Sequence, residues 1–423
     1  MFKIEGGMLV SYTEKEGITN VAIPRDVTSI GDWAFNDCTS LTSISIGDSV
    51  TSIGSYAFEY CRSLTSISIP DSVTSIGSYA FEDCSSLTSI TIGNSVTSIG
   101  ESAFEDCKSL TSITIPDSVT SIGKYAFSDC KSLTSVTIPN SVTIIGYGAF
   151  YKCTNLISMT IPDSVTDIGS RAFEDCTSLT SIIISNSVTS IGKWMFAGCT
   201  NLKSITTGNG VTSIGNHAFK NCTSLVNVTI PDNVTNIGSE AFFNCINLKS
   251  IIIPKNVTNI GNWAFFNCIN LKSITIPKNM TSIAPCTFYY CTSLESIIIP
   301  DSVTSINSAA FCQCEKLISK KAIYKAFEFQ AGKLKCRGLE YREGKWSKEI
   351  KDILICQRGY HFCDNLFAIF NYYAGEIDKE IVIYECEAGD KIKTDGIKCV
   401  TNKIKPVKRL YRKDIIKILN NIN

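Results

Sequence analysis

The sequence predicts a solenoid of short stacked parallel strands with short helical turns, followed by a small α+β domain. Three observations carry this. Cysteine recurs every 23 residues, thirteen times, from Cys38 to Cys314. A Phe precedes each cysteine by three residues (Phe35 to Phe311) and an Ile by eight (Ile30 to Ile306). The register then fails at "LISKKAIYKAF", where Lys320 falls on a position that Ile should fill. Self-similarity at a fixed period of this size marks units that can bury their apolar faces only against their neighbours.

The first 17 residues, with "FKIEGGMLVSY", read as an N-terminal cap, and "ITNVAIP" (residues 18–24) as a first half-unit. Each full unit then repeats one plan. In "LTSISIP", Leu64, Ile67 and Ile69 alternate with small polar residues, the period of a strand with one buried face. Pro70 ends the strand, because proline has no N–H to give a ladder. "SVTSIG" supplies a second extended piece with Val73 and Ile76 inward, turned by Gly77. "AFEDC" reads as a turn of helix that buries Phe81 and Cys84. Repeated about thirteen times, the plan spans residues 18–317.

These residues resemble the leucine-rich repeat, in the 23-residue BspA-like or Treponema-type class. The resemblance implies equivalent strands stacked into parallel sheets, and a surface used for binding other proteins rather than for catalysis.

The cysteines fit such a stack as small buried apolar residues, since free cysteine is among the most buried residue types. Thirteen is odd and adjacent coils share one column, so reduced thiols are expected rather than disulfides or a metal ladder.

Outside the core, Ser43 and Ser45, Ser66 and Ser68, and their counterparts to Ser273 and Thr275 form a flat polar face with little to grip a partner. The turn edge is acidic in early units (Asp37, Glu59, Glu82, Asp83, Glu105, Asp106, Asp129, Glu174, Asp175). Late units place Phe243, Phe266 and Tyr289 at one repeat position, with Trp263 and Tyr290 nearby. Aromatic residues one coil apart mark a binding surface or an intramolecular contact with the C-terminal domain.

Residues 318–423 form the predicted α+β domain. They hold 22 Lys/Arg and 14 Asp/Glu, a net of +8, against 17 and 25, a net of −8, in residues 1–317. Strands are expected around "CRGLEYREGK", "CQRGYHFC" and "KEIVIYECE", with a helix over 364–372 and a terminal helix from "PVKRLYRKDIIKILN". The region resembles an uncharacterised domain of bacterial and phage proteins, which implies a boundary but no activity.

Two chemical readings of this domain differ from the scaffold reading. Cys356, His361 and Cys363, with Cys336 or Cys386, offer zinc-type ligands, but C-x4-H-x-C is not a common ligand spacing and packed side chains are expected instead. The order of motifs also resembles, distantly, the ADP-ribosyltransferases. Arg337, His361, Tyr373 and Glu385 (or Glu387) would then hold NAD and orient the acceptor. No P-loop, nucleophile elbow or H-E-x-x-H motif occurs, and no catalytic residue, metal or cofactor is expected in the repeats.

The formal net charge of zero argues against general nucleic-acid binding, and the basic run at residues 403–413 is expected on a solvated or docked face. No apolar run long enough to cross a bilayer occurs, and the N-terminus lacks the features of a secretory signal. The expectation is a cytoplasmic monomer with a protein partner, with a non-classical route to the cell surface left open.

Overall fold

Alternation of Ile with Ser or Thr becomes strand wherever the repeat begins. The computed structural model describes residues 1–307 and 309–317, and eight strand segments between residues 323 and 410. It is a solenoid of about thirteen turns built from stacked parallel strands. Two compact units divide the chain, Met1–Leu248 and Lys249–Asn423.

The first unit starts with an antiparallel hairpin, β1 (Phe2–Glu5) and β2 (Met8–Tyr12). β2 then pairs in parallel with Ser29–Ile30, so the cap becomes the first rung of a ladder. From there each coil adds one strand to each of two rows, which are bonded as successive sheets: one row breaks after Ser89–Thr91 and after Ser135–Thr137, the other after Asp167–Ile168. Ser66–Ser68 lies between Ser43–Ser45 and Ser89–Thr91, residue for residue, while Ser75–Ile76 pairs with Ser52–Ile53. Within these sheets equivalent residues of successive coils pair, because a one-residue shift would turn every Ile outward. Ile67, Ile69, Val73 and Ile76 are all buried while Ser66 and Ser68 are exposed.

The core is a set of columns. Phe35 through Phe242 stack ring on ring, with centroids 4.9–5.6 Å apart and planes within 11° of parallel in each successive pair. The spacing matches that of adjacent strands, so the backbone dictates it. Threonines extend the ladders. Thr74 Oγ donates to the Thr51 carbonyl and Thr97 to that of Thr74, at 3.2 and 3.3 Å. A polar side chain at a strand end is thereby satisfied by the next coil's backbone.

The expected turn of helix is absent. Over "SYAFEDC", Tyr79 and Asp83 take left-handed backbone (φ 59° and 50°), and the segment is a pair of tight turns. The N–H groups of Glu82 and Cys84 close these turns onto Tyr79 and Phe81, both at 3.2 Å. Those of Tyr79, Phe81 and Asp83 reach forward instead, to the carbonyls of Glu101, Ala103 and Glu105 at 2.7–2.8 Å. A helix would direct every N–H within the coil. With left-handed backbone at Tyr79 and Asp83, every second N–H from Tyr79 to Asp83 binds the next coil, so the turn edge is hydrogen-bonded between coils as well. Asp and Asn recur at the second left-handed position because they tolerate it.

Gly77 also has a different role from the expected one. Its φ is ordinary, but a Cβ there would lie 2.5 Å from the carbonyl carbon of Gly54. The column Gly54, Gly77, Gly100, Gly123 and Gly146 exists because coils approach closely, not because the chain turns there.

The second unit opens with coils of the same form. Ser273–Thr275 pairs with Ser296–Ile298, and Ser282–Ile283 with Ser305–Ile306. Phe265, Phe288 and Phe311 stack at 5.5 Å. A short 3₁₀ turn, Glu315–Leu317, follows. Beyond it, a five-stranded antiparallel sheet runs in the order Leu339–Tyr341, Lys333–Cys336, Ile323–Gln330, Ile381–Ala388, Ile404–Leu410. A second sheet joins Tyr360–Phe362, Cys399–Thr401 and Ile392–Thr394. Residues 404–410 are therefore strand, not the start of the expected terminal helix, because they find a ready edge on Ile381–Ala388. The expected helix over 364–372 lies outside the described residues.

Candidate interaction surface

Where the turn edge of the second unit carries aromatic residues, they gather into one cluster. Phe266 and Tyr289, one coil apart, stack with centroids 5.5 Å apart at 22°. Trp263 meets Phe266 at 5.2 Å and Tyr289 at 6.0 Å, while Tyr290 meets Tyr289 edge-on at 4.9 Å and Phe266 at 6.0 Å. Trp263 and Tyr290 both have left-handed backbone (φ 60° and 62°), and remain 37% and 42% exposed. Burial pushes the Tyr289 phenol above its ordinary range, and nearby Cys312 adds to this. Four of the five expected surface residues thus share one patch.

Phe243 lies in the first unit, where its ring meets a cation. The Lys220 ammonium sits 4.8 Å from its ring centroid and 5.3 Å from that of Trp194. Trp194 also receives Arg171 at 5.5 Å and stacks on His217 at 4.0 Å. Glu240 holds Lys220 at 2.7 Å and approaches His217 Nδ1 at 3.3 Å. Burial lowers the His217 pKa, which the Glu240 charge partly opposes. Sequence reading missed this cation–aromatic cluster, whose members sit at two repeat positions that the strict consensus hides. Reading each column separately would have exposed Trp33, Tyr56, Tyr79, Trp194 and His217 at one position. The first three stack at 4.7–5.2 Å.

The acidic edge is compressed. Burial, then the charges of Glu59 and Glu105, push Glu82 up to about 7, and burial also raises Glu105. Asn36 Nδ2 donates to Glu59 at 2.6 Å, and Asp83 pairs with Arg62 at 2.9 Å.

The strand face departs from the flat polar surface expected. Ser135, Ser158, Thr160 and Thr206 border a groove of about 1050 Å³ whose lining includes Ile183. Ile183, Ile252 and Ile298 replace the outward Ser or Thr of other coils and are 51%, 83% and 50% exposed. The alternation that buries one face is blind to what the other displays.

In the C-terminal region, His361 lies in Tyr360–Phe362 and Glu385 in Ile381–Ala388, strands of separate sheets. Cys336 and Cys386 lie in Lys333–Cys336 and Ile381–Ala388. Arg337, Tyr373, Cys356 and Cys363 fall outside the described residues. Among the described residues, no group of three or more His, Cys, Asp or Glu is arranged to hold a metal, and no helix is long and apolar enough to cross a membrane.

A ladder of 23-residue coils with a consensus Leu, Ile and Cys core defines a leucine-rich repeat protein. The family profile described as the BspA type leucine rich repeat region (6 copies) matches residues 10–134, 120–246 and 212–329. The chain belongs to this BspA-type leucine-rich repeat family. A second profile, a domain of unknown function (DUF7666), matches residues 322–418. Among solved structures, a leucine-rich repeat protein from Bacteroides ovatus is 33% identical, with 75% of this chain and 91% of that one covered and a TM-score of 0.65. A leucine rich cell surface protein from Faecalibacterium prausnitzii is 34% identical, with 70% and 94% covered and a TM-score of 0.49. No curated protein gives a significant match.

Proposed function

We propose that this chain is a non-enzymatic scaffold for a protein partner, and that Trp263, Phe266, Tyr289 and Tyr290 form its main contact patch. One observation carries the reading: four aromatic rings meet within 4.9–6.0 Å on the turn edge while two of them stay over a third exposed. Large rigid rings supply contact area at low entropic cost, which is why Trp and Tyr dominate binding hot spots. Phe243, whose ring already carries a cation, is proposed as a further contact. The division into a cap (1–17), a solenoid (18–317) and a C-terminal domain (318–423) belongs to the same proposal. The break in register at Lys320 supports it.

The test compares partners captured by the full-length protein with those captured by a Trp263→Ala/Tyr290→Ala variant that melts at the same temperature. A partner whose recovery falls about tenfold or more supports the patch. Undiminished recovery of every partner by the variant overturns it.

A further inference from the structure

Thirteen cysteines of the solenoid form its buried column, but two others in the described coils do not. Cys286 and Cys312 are each half-buried, in contrast to the column thiols. They lie in adjacent coils, at the position two residues before Phe288 and one residue after Phe311. The same pair of positions brings side chains together elsewhere. Trp263 and Tyr289 meet there at 6.0 Å, and Lys220 sits 5.3 Å from the Trp194 centroid. Backbone bonds tighten the juxtaposition. The N–H of Tyr289 donates to the Cys286 carbonyl at 3.1 Å, and that of its neighbour Tyr290 to the Cys312 carbonyl at 2.9 Å. Each cysteine is thus held to one of two consecutive residues.

We propose that Cys286 and Cys312 are a reversible dithiol site that takes low-molecular-weight disulfides and closes to an intramolecular bridge. In the first step one thiolate attacks a disulfide RSSR, giving a protein–SSR mixed disulfide and releasing RS⁻, which takes up the proton the thiol gave. In the second step the other thiolate attacks the protein sulfur of that mixed disulfide. The S–S bond to R breaks, the second RS⁻ is protonated, and the Cys286–Cys312 bond remains. Two protein thiols are oxidised and one RSSR is reduced to two RSH, so electrons balance. The bridge would link the last two coils beside Tyr289 and Tyr290.

Burial raises both thiols above their ordinary pKa, and the charge of Cys312 adds to the effect on Cys286. Hydrogen bonding with the Tyr289 phenol pulls Cys312 back down. Exchange is therefore slow near neutrality and quickens as pH rises, because the thiolate is the nucleophile.

The experiment treats the full-length protein with oxidised glutathione at mildly alkaline pH, blocks remaining thiols and maps peptides by mass spectrometry. The expected product is a Cys286–Cys312 linked peptide lacking two hydrogens, released by dithiothreitol. Cys286→Ser should instead trap Cys312 as the glutathione mixed disulfide. The proposal is overturned if the wild type forms no such link, or if either cysteine bridges as readily to one of the five cysteines after residue 320.

Discussion

The Cys84 thiol donates to the carbonyl oxygen of Phe58, one coil back, at 3.2 Å, and that same oxygen accepts the N–H of Cys61 at 3.2 Å. The relationship recurs in each coil from Cys61 to Cys245 and again at Cys291 and Cys314, for example Cys130 to Phe104 and Cys314 to Phe288, both at 3.1 Å. The cysteine is therefore more than a small apolar filler. It satisfies a buried carbonyl's second lone pair, which the aliphatic columns leave untouched.

A substitution series follows from this. Cys130→Ala removes both volume and donor, and is expected to cost about 1–3 kcal/mol. Cys130→Ser keeps a donor facing the Phe104 carbonyl, so it is expected to cost no more than Ala. Urea melts of the two variants decide the matter. A serine variant clearly less stable than the alanine one would mean that the hydroxyl does not reach its acceptor.

The glycine column yields a steeper prediction. A Cβ on Gly123 would lie 2.5 Å from the Gly100 carbonyl oxygen, and that oxygen is backbone and cannot swing away. Gly123→Ala is expected to destabilise by about 2–3 kcal/mol. Gly47→Ala, where the nearest neighbour of the added Cβ is the Ser49 hydroxyl at 3.9 Å, should be near neutral. Equal melting temperatures for the two variants would refute close approach as the reason for the column.

Much of this was legible in the sequence, and the limits have physical causes. The strands, the buried Leu, Ile, Phe and Cys columns and the repeat boundaries follow from period and alternation, which encode burial directly. The helical turn did not survive, because "AFEDC" has good helix formers and the sequence does not show that Tyr79, Phe81 and Asp83 bond across to the next coil. The aromatic patch was visible as a column at Phe266 and Tyr289. The Trp194, His217 and Lys220 cluster was not, since Lys220 reaches Trp194 diagonally between two columns whose residues vary from coil to coil. At the C-terminus, with no repeat to average over, residues 406–410 read as helix in the sequence but belong to the strand Ile404–Leu410.

Acidity should affect stability in a direction opposite to the usual carboxylate. The Glu82 pKa is raised to about 7 by burial and by Glu59 and Glu105, so the folded protein binds a proton that the unfolded chain releases near its ordinary value of 4.5. Stability from this group is fully present below that ordinary value and is lost as pH rises through about 7. Thermal melts between these limits should show a falling melting temperature, and Glu82→Gln should flatten the slope. An unchanged slope in the variant would remove Glu82 as its source.

Left-handed backbone offers a route to stabilisation. Lys152 occupies at φ 56° a position where most coils place Asp or Asn. Lys152→Asn is expected to raise stability by up to about 1 kcal/mol, since Asn tolerates this region better. The cation beside the Tyr151 ring, 4.9 Å from its centroid, is lost in the exchange and is worth roughly 0.5–1 kcal/mol at an exposed site, so a gain smaller than the backbone relief alone is expected. Any fall in stability would show that the ring contact outweighs the backbone.

Because Thr97 bonds to Thr74 as Thr74 bonds to Thr51, each 23 residues on, one coil's neighbours cannot distinguish it from the next. Excising 23 consecutive residues from the middle of the first unit would join two surfaces already made for each other. Excising 22 would put every column out of step from that point on. The gene for such a chain can grow or shrink without a loss of fold only in whole coils, which makes copy number the easiest dimension in which it can vary.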